Sequence, residues 1–109
     1  MPFKETISSQ RLREVITYDP FTGDFISKVQ RGKLNVGDVI GSIASNGYRM
    51  VTVDWHRYMA HRLAWLYMFE TWPSALIDHI NGDRADNRIS NLRVVKQGMN
   101  LENQRGAHR

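Results

Sequence analysis

Cysteine is absent from the 109 residues, and this absence excludes disulfide bonds and cysteine-ligated zinc. No stretch approaches the roughly 18 consecutive apolar residues that a membrane span needs. The first ten residues, MPFKETISSQ, have no apolar core of the kind that signal peptides carry. A reducing compartment is compatible with all three absences, so we expect a soluble, cytoplasmic protein.

The length allows one ordinary domain or two very small modules. Apolar residues make up 41% of the chain, which can support a modest core. A chain of this size buries only about two-thirds of its unfolded surface, so we expect marginal stability.

Positive charge is in excess and is mostly arginine. Lysine and arginine total 15 against 11 acidic residues, a net charge of +4, and eleven of the 15 are arginine. The planar guanidinium group matches phosphate geometry with two hydrogen bonds. The isoelectric point near 9.8 raises the expectation of a nucleic-acid partner, although a mildly basic domain without an anionic partner remains the alternative.

The N-terminal half predicts one helix followed by antiparallel strands. The run SSQRLREVITY has a serine to cap a helix and places Leu12, Val15 and Ile16 on one face. Pro20 and Gly23 predict a tight turn between extended segments. A strand, a basic loop and a second strand follow over residues 24–43, and the pair Asn46-Gly47 predicts a hairpin turn.

The C-terminal half predicts a buried helix and a second group of short elements. HRLAWLYMFE is apolar nearly all round and is followed by Trp72-Pro73, which predicts the end of the helix. ALIDHI and LRVV predict strands on either side of a polar loop at 81–91, and the segment after Gly98 has room for a short helix. We therefore divide the chain into a helix and β-hairpin region, 1–57, with possible DNA contacts, and a core at 58–109.

The most informative stretch is DHINGDRADNRISN, residues 78–91. Asp78 and His79 adjoin at the end of a predicted strand, Asn91 follows His79 by twelve positions, and Asn100 follows Asn91 by nine. Carboxylate and amide oxygens are hard ligands suited to Mg²⁺ or Mn²⁺. A neutral histidine beside such an ion can take the proton of an attacking water. The set suits phosphodiester hydrolysis.

Most other polar residues here also have an ordinary structural interpretation. Asparagine, aspartate and glycine form turns and loop caps, and we assign this role to Asn81, Gly82, Asp83, Asp86 and Asn87, with a further loop hydrogen bond by Asn87 as the alternative. His61 is interpreted as a structural histidine at the helix start. The aromatic residues of the same helix are interpreted as core packing rather than base-stacking residues.

The string DHINGDRADNRISNLR, preceded by AHRLAW and followed by GMNLENQR, resembles the HNH endonucleases, whose nuclease core is a ββα-metal (His-Me finger) fold. The resemblance is strongest to the His-Asn-Asn branch of phage and homing-type enzymes and covers about residues 58–105. It implies that His79 is the general base and that Asp78 and Asn100 hold a single divalent ion, Mg²⁺ with Mn²⁺ as a substitute. It also implies that Asn91 holds the loop and the catalytic histidine in place. The chain departs from other branches in having Asn100 where they use histidine.

The resemblance makes double-stranded DNA the expected partner. Basic side chains near the site or on the predicted strands are then expected to contact phosphates, which positions a duplex without reading its sequence. These residues are Lys28, Arg31, Lys33, Arg49, Arg57, Arg84, Arg88 and Arg93.

The sequence therefore predicts an α+β protein in which an N-terminal helix and antiparallel strands precede a C-terminal ββα-metal core. The predicted function is metal-dependent DNA endonuclease activity, with nicking favoured because one site cuts one strand, in a monomer or homodimer. The alternatives are a non-catalytic basic DNA-binding protein on the same scaffold and a structural or protein-binding domain.

Overall fold

The structure, a computed structural model, describes residues 5–95. Two helices and eight short strands follow one another in this part of the chain. Their bounds are α1 Ser9–Val15, β1 Ile16–Tyr18, β2 Phe25–Ser27, β3 Val39–Ile40, β4 Ser42–Ile43, β5 Arg49–Val53, β6 His56–Met59, α2 Ala60–Phe69, β7 Leu76–His79 and β8 Leu92–Val95. The mixture of helices and antiparallel sheets confirms the predicted α+β class.

Helix α1 begins where the sequence predicted. The Ser8 hydroxyl accepts a hydrogen bond from the Arg11 amide at 3.0 Å, which satisfies one of the free N–H groups of the first turn. Leu12 and Val15 are buried on one face. The placement of Ile16 on the helix was wrong, because Ile16 has extended backbone and begins β1. Its side chain nevertheless joins the same core.

The first sheet has the order β1-β2-β3, with all pairs antiparallel. The predicted turn at Pro20 and Gly23 joins β1 to β2, and the Gly23 amide donates to the Asp19 carbonyl at 2.8 Å. Gly23 has φ +83°, a conformation that strongly favours glycine.

The second sheet has the order β4-β5-β6 and is again antiparallel. Asn46-Gly47 forms the turn before β5, as predicted. The next turn contains Asp54 and Trp55, both with positive φ, between the paired residues Val53 and His56. Two left-handed residues are what a tight two-residue hairpin needs to match strand twist. Trp55 is 82% exposed at this tip.

Helix α2 is buried on one face only. His61, Leu63, Ala64 and Leu66 face the interior, whereas Met68 and Phe69 at the C-terminal end are among the exposed large apolar residues. The prediction of a helix buried on all sides was therefore wrong. The helix ends before Trp72-Pro73, at Glu70 in left-handed conformation.

Strands β7 and β8 form an antiparallel hairpin in which Asp78 faces Arg93 and His79 faces Leu92. The connection between them is the polar loop, which ends in a short 3₁₀ turn at Ile89–Asn91. These are the two strands of the predicted ββα unit, and its helix after Gly98 lies outside the described residues. Neither described helix is long and apolar enough to cross a membrane.

One apolar cluster runs from Ile7 to Leu92 and includes residues of all three sheets and both helices. The division at 57/58 stays a prediction. Strand β6 crosses that position, and the cluster draws on both sides of it.

Candidate active site

His79 lies at the end of β7 and is 6% exposed. Its Nε2 is 2.9 Å from Oδ1 of Asn87. The ring of His61 stands edge-on to the His79 ring with 5.0 Å between centroids, and the Tyr48 ring lies 5.9 Å away. The imidazole is thus held by one amide and two rings that come from three other segments of the chain.

His61 is a member of this cluster that sequence reasoning placed only at the start of a helix. It is 5% exposed, and its Nδ1 is buried without a hydrogen-bond partner among residues 5–95. Burial, with the nearby His79 and Arg62 as smaller causes, lowers the pKa of His61 to about 3. His61 is therefore neutral at physiological pH. The string AHRLAW drew attention to this segment, but nothing in it indicated that the two rings meet.

Asp78 forms an ion pair with its cross-strand neighbour. Its Oδ2 accepts hydrogen bonds from Nε and a terminal guanidinium nitrogen of Arg93, at 3.1 and 2.9 Å. The Asp78 side chain retains 11% of its exposure. Neighbours on a strand point to opposite faces, which accounts for the different surroundings of Asp78 and His79.

Asn91 closes the loop between β7 and β8. Its Oδ1 accepts from the Asn81 amide at 3.0 Å, and its Nδ2 donates to Oδ1 of Asn81 and to the Asp86 carbonyl at 3.0 and 2.9 Å. Its carbonyl also accepts from the Ile80 amide. The loop-holding part of the expected role of Asn91 thus has a structural basis. The hydrogen bond to the imidazole comes instead from Asn87.

The other polar residues of the loop bond to one another as turn residues do. Asn81 and Asp83 accept from backbone amides two residues ahead. Arg88 donates two hydrogen bonds to the Asp86 carboxylate, and these hold the pKa of Asp86 down to about 2. Asn87 is different, because it is 1% exposed and faces the site.

Asn100, the second predicted metal ligand, lies outside the described residues. Within residues 5–95 no three acidic, histidine or cysteine side chains form a group that could hold a metal ion. Of the two predicted metal ligands, Asp78 is the one that lies within the described residues.

The arginines around the site differ in the groups that they contact. Arg93 and Arg88 are paired with Asp78 and Asp86. Arg84 is exposed, donates to the Asn46 carbonyl at 2.8 Å, and stacks over the Tyr48 ring at 5.0 Å. The Tyr48 ring also lies next to the His79 ring. Arg84 is therefore connected to the site through Tyr48.

The remaining predicted DNA contacts lie in the β2–β3 connection and in the second sheet. Lys28, Arg31, Lys33 and Arg57 are exposed, and Arg49 is half-buried. Arg31 lies 5.3 Å over the Trp55 ring and 3.6 Å from Asp54, and Lys28 donates to the Arg13 carbonyl. These positions leave the predicted phosphate contacts untested.

An antiparallel hairpin that presents an Asp-His pair, with its connecting loop closed by a buried asparagine, defines the site of a small α+β protein. Residues 58–102 match the family model described as HNH endonuclease. This match and the resemblance stated from the sequence agree on an HNH nuclease segment at the same place in the chain.

A solved structure described as DNA binding and cleavage by the HNH homing endonuclease I-HmuI has a similar fold, with a TM-score of 0.64 at 23% sequence identity. The likeness covers 86% of this chain and 53% of the other, so the chain spans about half the length of that protein. No curated protein sequence matches the chain.

Proposed function

We propose that this protein is a metal-dependent endonuclease that nicks DNA. The observation that carries the proposal is the immobilised His79 next to the Asp78 carboxylate, within the segment that matches the HNH endonucleases. DNA as the substrate is supported by the basic composition and by the DNA cleavage described for I-HmuI.

Within the described residues, the Asp78 carboxylate is of the ligand type that a divalent ion such as Mg²⁺ takes. Mg²⁺ is commonly bound through one or two carboxylates, with water and substrate phosphate in its other positions. Asp78 supplies one carboxylate, and Asn100 is proposed as the amide ligand. When bound, such an ion stabilises negative charge on the reacting phosphate and on the departing oxygen.

His79 is proposed as the general base. A neutral imidazole accepts a proton from water, the resulting hydroxide attacks phosphorus, and the bond between phosphorus and the departing sugar oxygen breaks. Asn91 keeps the loop closed beneath this residue. Arg84 is placed to contact a backbone phosphate of the bound duplex.

Nicking follows from the number of sites. One monomer carries one Asp-His pair and can cut one strand at a time. The first product from supercoiled plasmid with Mg²⁺ should be open circular. Linear plasmid as the first product would contradict a monomeric nickase.

The test of catalysis is His79→Ala, with His56→Ala as the matched control because His56 is exposed at the start of β6. We expect His79→Ala to lose nicking by a factor on the order of 10² to 10⁴, the usual contribution of a general base. Binding to the same DNA should persist, and His56→Ala should cut as the wild type does. If His79→Ala cuts DNA as fast as the wild type, His79 is not the general base.

The second candidate is a non-catalytic DNA-binding protein on the same scaffold. The ion pair between Asp78 and Arg93 favours it, because that arginine occupies an oxygen of the carboxylate that would hold the metal. A wild-type protein that binds DNA but never cuts it with Mg²⁺, Mn²⁺ or Ni²⁺ would establish this second function.

A further inference from the structure

We propose that a cleft between the first sheet and the tip of the β5–β6 hairpin binds one unpaired nucleobase of DNA, which stacks on Trp55. The inference rests on the proposed function for DNA as the ligand. It adds a preference for DNA that carries an unpaired nucleotide near the cut, and it does not depend on which side chain cuts the strand.

The cleft has an apolar floor and a volume of about 310 Å³. This volume lies at the lower end of the roughly 300–1,000 Å³ found for pockets that hold small ligands. Six aliphatic side chains line it: Val15, Ile16, Val29, Leu34, Ile40 and Val53. Ser27 also lines the cleft, and its hydroxyl already donates to the Val29 carbonyl at 2.7 Å. The floor therefore offers mainly apolar contact, which suits the face of a planar ring.

Trp55 stands at the rim of this cleft and is 82% exposed. The two-residue turn between β5 and β6 carries it. The Arg31 guanidinium lies 5.3 Å from the centre of the indole ring, and most of the indole surface stays open to solvent. Nucleobases stack on tryptophan rings and on guanidinium planes. An exposed indole beside an apolar cleft is therefore a surface on which a base can stack.

Ion pairs that reach α1 hold this stacking surface in place. Asp54, adjacent to Trp55, lies 3.6 Å from Arg31 and accepts hydrogen bonds from Arg11 at 2.8 and 3.1 Å. Because Arg11 belongs to α1 and Arg31 to the β2–β3 connection, three segments of the chain meet at the rim. A rim that is held before the ligand arrives reduces the cost of ordering side chains on binding.

Positive charge around the cleft suits the phosphate of a nucleotide. Arg31 and Lys33 are exposed on the loop that lines the cleft. Arg57 lies directly opposite Thr52 across the β5–β6 ladder, so its side chain is on the face by which Thr52 lines the cleft. Asp54, the acidic residue of the lining, is paired with two arginines. The rim therefore keeps a net positive charge.

Only an unpaired base can present its face to Trp55. In a duplex the neighbouring bases cover both faces, and a nucleotide must leave the stack before its base can enter a protein pocket. An acidic peptide with one aromatic side chain has the same two features, a planar ring and negative charge. We assign the cleft to the base because DNA is the proposed substrate, and the peptide is an outcome of the test below.

Strand β5 relates the cleft to the candidate active site. The Tyr48 ring, next to the start of β5, lies beside His79, and Trp55 follows the other end of the strand. The five residues of β5 span about 17 Å at about 3.3 Å per residue. This is the length of roughly five stacked nucleotides at about 3.4 Å each. We therefore expect the unpaired nucleotide roughly five nucleotides from the cut.

The test is DNA binding measured by fluorescence anisotropy in EDTA, so that no strand is cut. Three labelled duplexes of one sequence are compared: a fully paired duplex, the same duplex with one bulged adenosine, and one with an abasic residue in place of that adenosine. We expect the wild type to bind the bulged duplex roughly 5- to 100-fold more tightly than the other two, which is the gain from stacking one base on an aromatic ring. The abasic duplex controls for the altered backbone.

The variants test Trp55 itself. Trp55→Ala should bind all three duplexes with the same affinity, and Trp55→Phe, which keeps an aromatic ring, should keep part of the preference. Phe21→Ala is the matched control, because Phe21 is a similarly exposed aromatic residue, at 86%, on a different turn. It should keep the wild-type preference.

Equal binding of the bulged and abasic duplexes by the wild type, or an unchanged preference in Trp55→Ala, would overturn the proposal. If Trp55→Ala does not fold, the three duplexes with the wild type still decide it. A glutamate-rich peptide with one phenylalanine that binds more tightly than the bulged duplex would assign the cleft to a protein partner and overturn it as well.

Cutting is measured separately with Mg²⁺. A wild type that shows the preference and never cuts removes the proposed nuclease activity alone, whereas one that cuts and shows no preference removes this inference alone. Where the bulged duplex is cut, a nick more than about one helical turn, roughly 10 base pairs, from the bulge would contradict the placement along β5.

Discussion

Acidification from pH 7 to pH 5 should destabilise the fold through His61. This side chain is buried beside the His79 ring, and its pKa is lowered from 6.5 to about 3. The unfolded chain, in which the ring is exposed, therefore binds a proton that the folded chain does not. The neutral His61 ring therefore makes its full contribution to the free energy of unfolding above pH 6.5. This contribution is lost progressively as the pH falls toward 3.

The size of the loss follows from the two pKa values. At pH 5, about 1.5 pH units below the unfolded value, and at about 1.36 kcal/mol per pH unit, the loss is about 2 kcal/mol. Domains of this size have roughly 5–15 kcal/mol in total, so the change is measurable. Asp54 and Asp86, whose pKa values are lowered from 3.8, contribute only below about pH 4.

The assay is equilibrium urea unfolding followed by tryptophan fluorescence at pH 7, 6 and 5. His61→Leu should flatten the pH dependence, whatever its own effect on the free energy of unfolding, because it removes the titrating ring. His56→Gln, at an exposed histidine, should keep the loss of about 2 kcal/mol expected for the wild type. The same loss in His61→Leu as in the wild type would refute the argument.

Three further predictions concern the turn, the loop and the DNA contact. Gly23→Ala should lower the free energy of unfolding by well over the roughly 1 kcal/mol of left-handed strain, because a Cβ there would lie 2.7 Å from the loop backbone. Gly32→Ala is the control in the same urea assay. Gly32 has φ +59° and no atom within 4 Å of its Cβ position, so this variant should show the strain alone. Arg88→Gln should shift acid unfolding to higher pH, because it removes the main cause of the low pKa of Asp86. In the wild type, ionised Asp86 stabilises the fold above pH 3.8, and this stabilisation is lost as the pH falls toward about 2. An unchanged acid midpoint would contradict this. Arg84→Gln should weaken DNA binding and reduce the slope of log K against log salt by about 0.9, the value for one phosphate contact, and an unchanged slope would exclude that contact.

The order of the elements was largely predictable because it depends on neighbours in the sequence. Ser8 can cap α1 wherever the helix packs, and the turn at Pro20 and Gly23 depends on backbone preferences of those residues. The error at Ile16 arose because helical spacing extends past the point where the chain pairs as a strand. The error on α2 arose because composition does not show which side of a helix the rest of the chain covers.

The site was predictable as a set of residues and not as a set of contacts. The Asp-His pair, its distance to Asn91 and the turn chemistry of the loop can be read from residue types and spacing. Three contacts become visible in the folded chain alone: Asn87 bonds the imidazole, His61 lies against it, and Arg93 pairs with Asp78. These contacts join residues eight to eighteen positions apart, and their distances depend on how α2 and the β1–β2 turn pack around the β7–β8 hairpin.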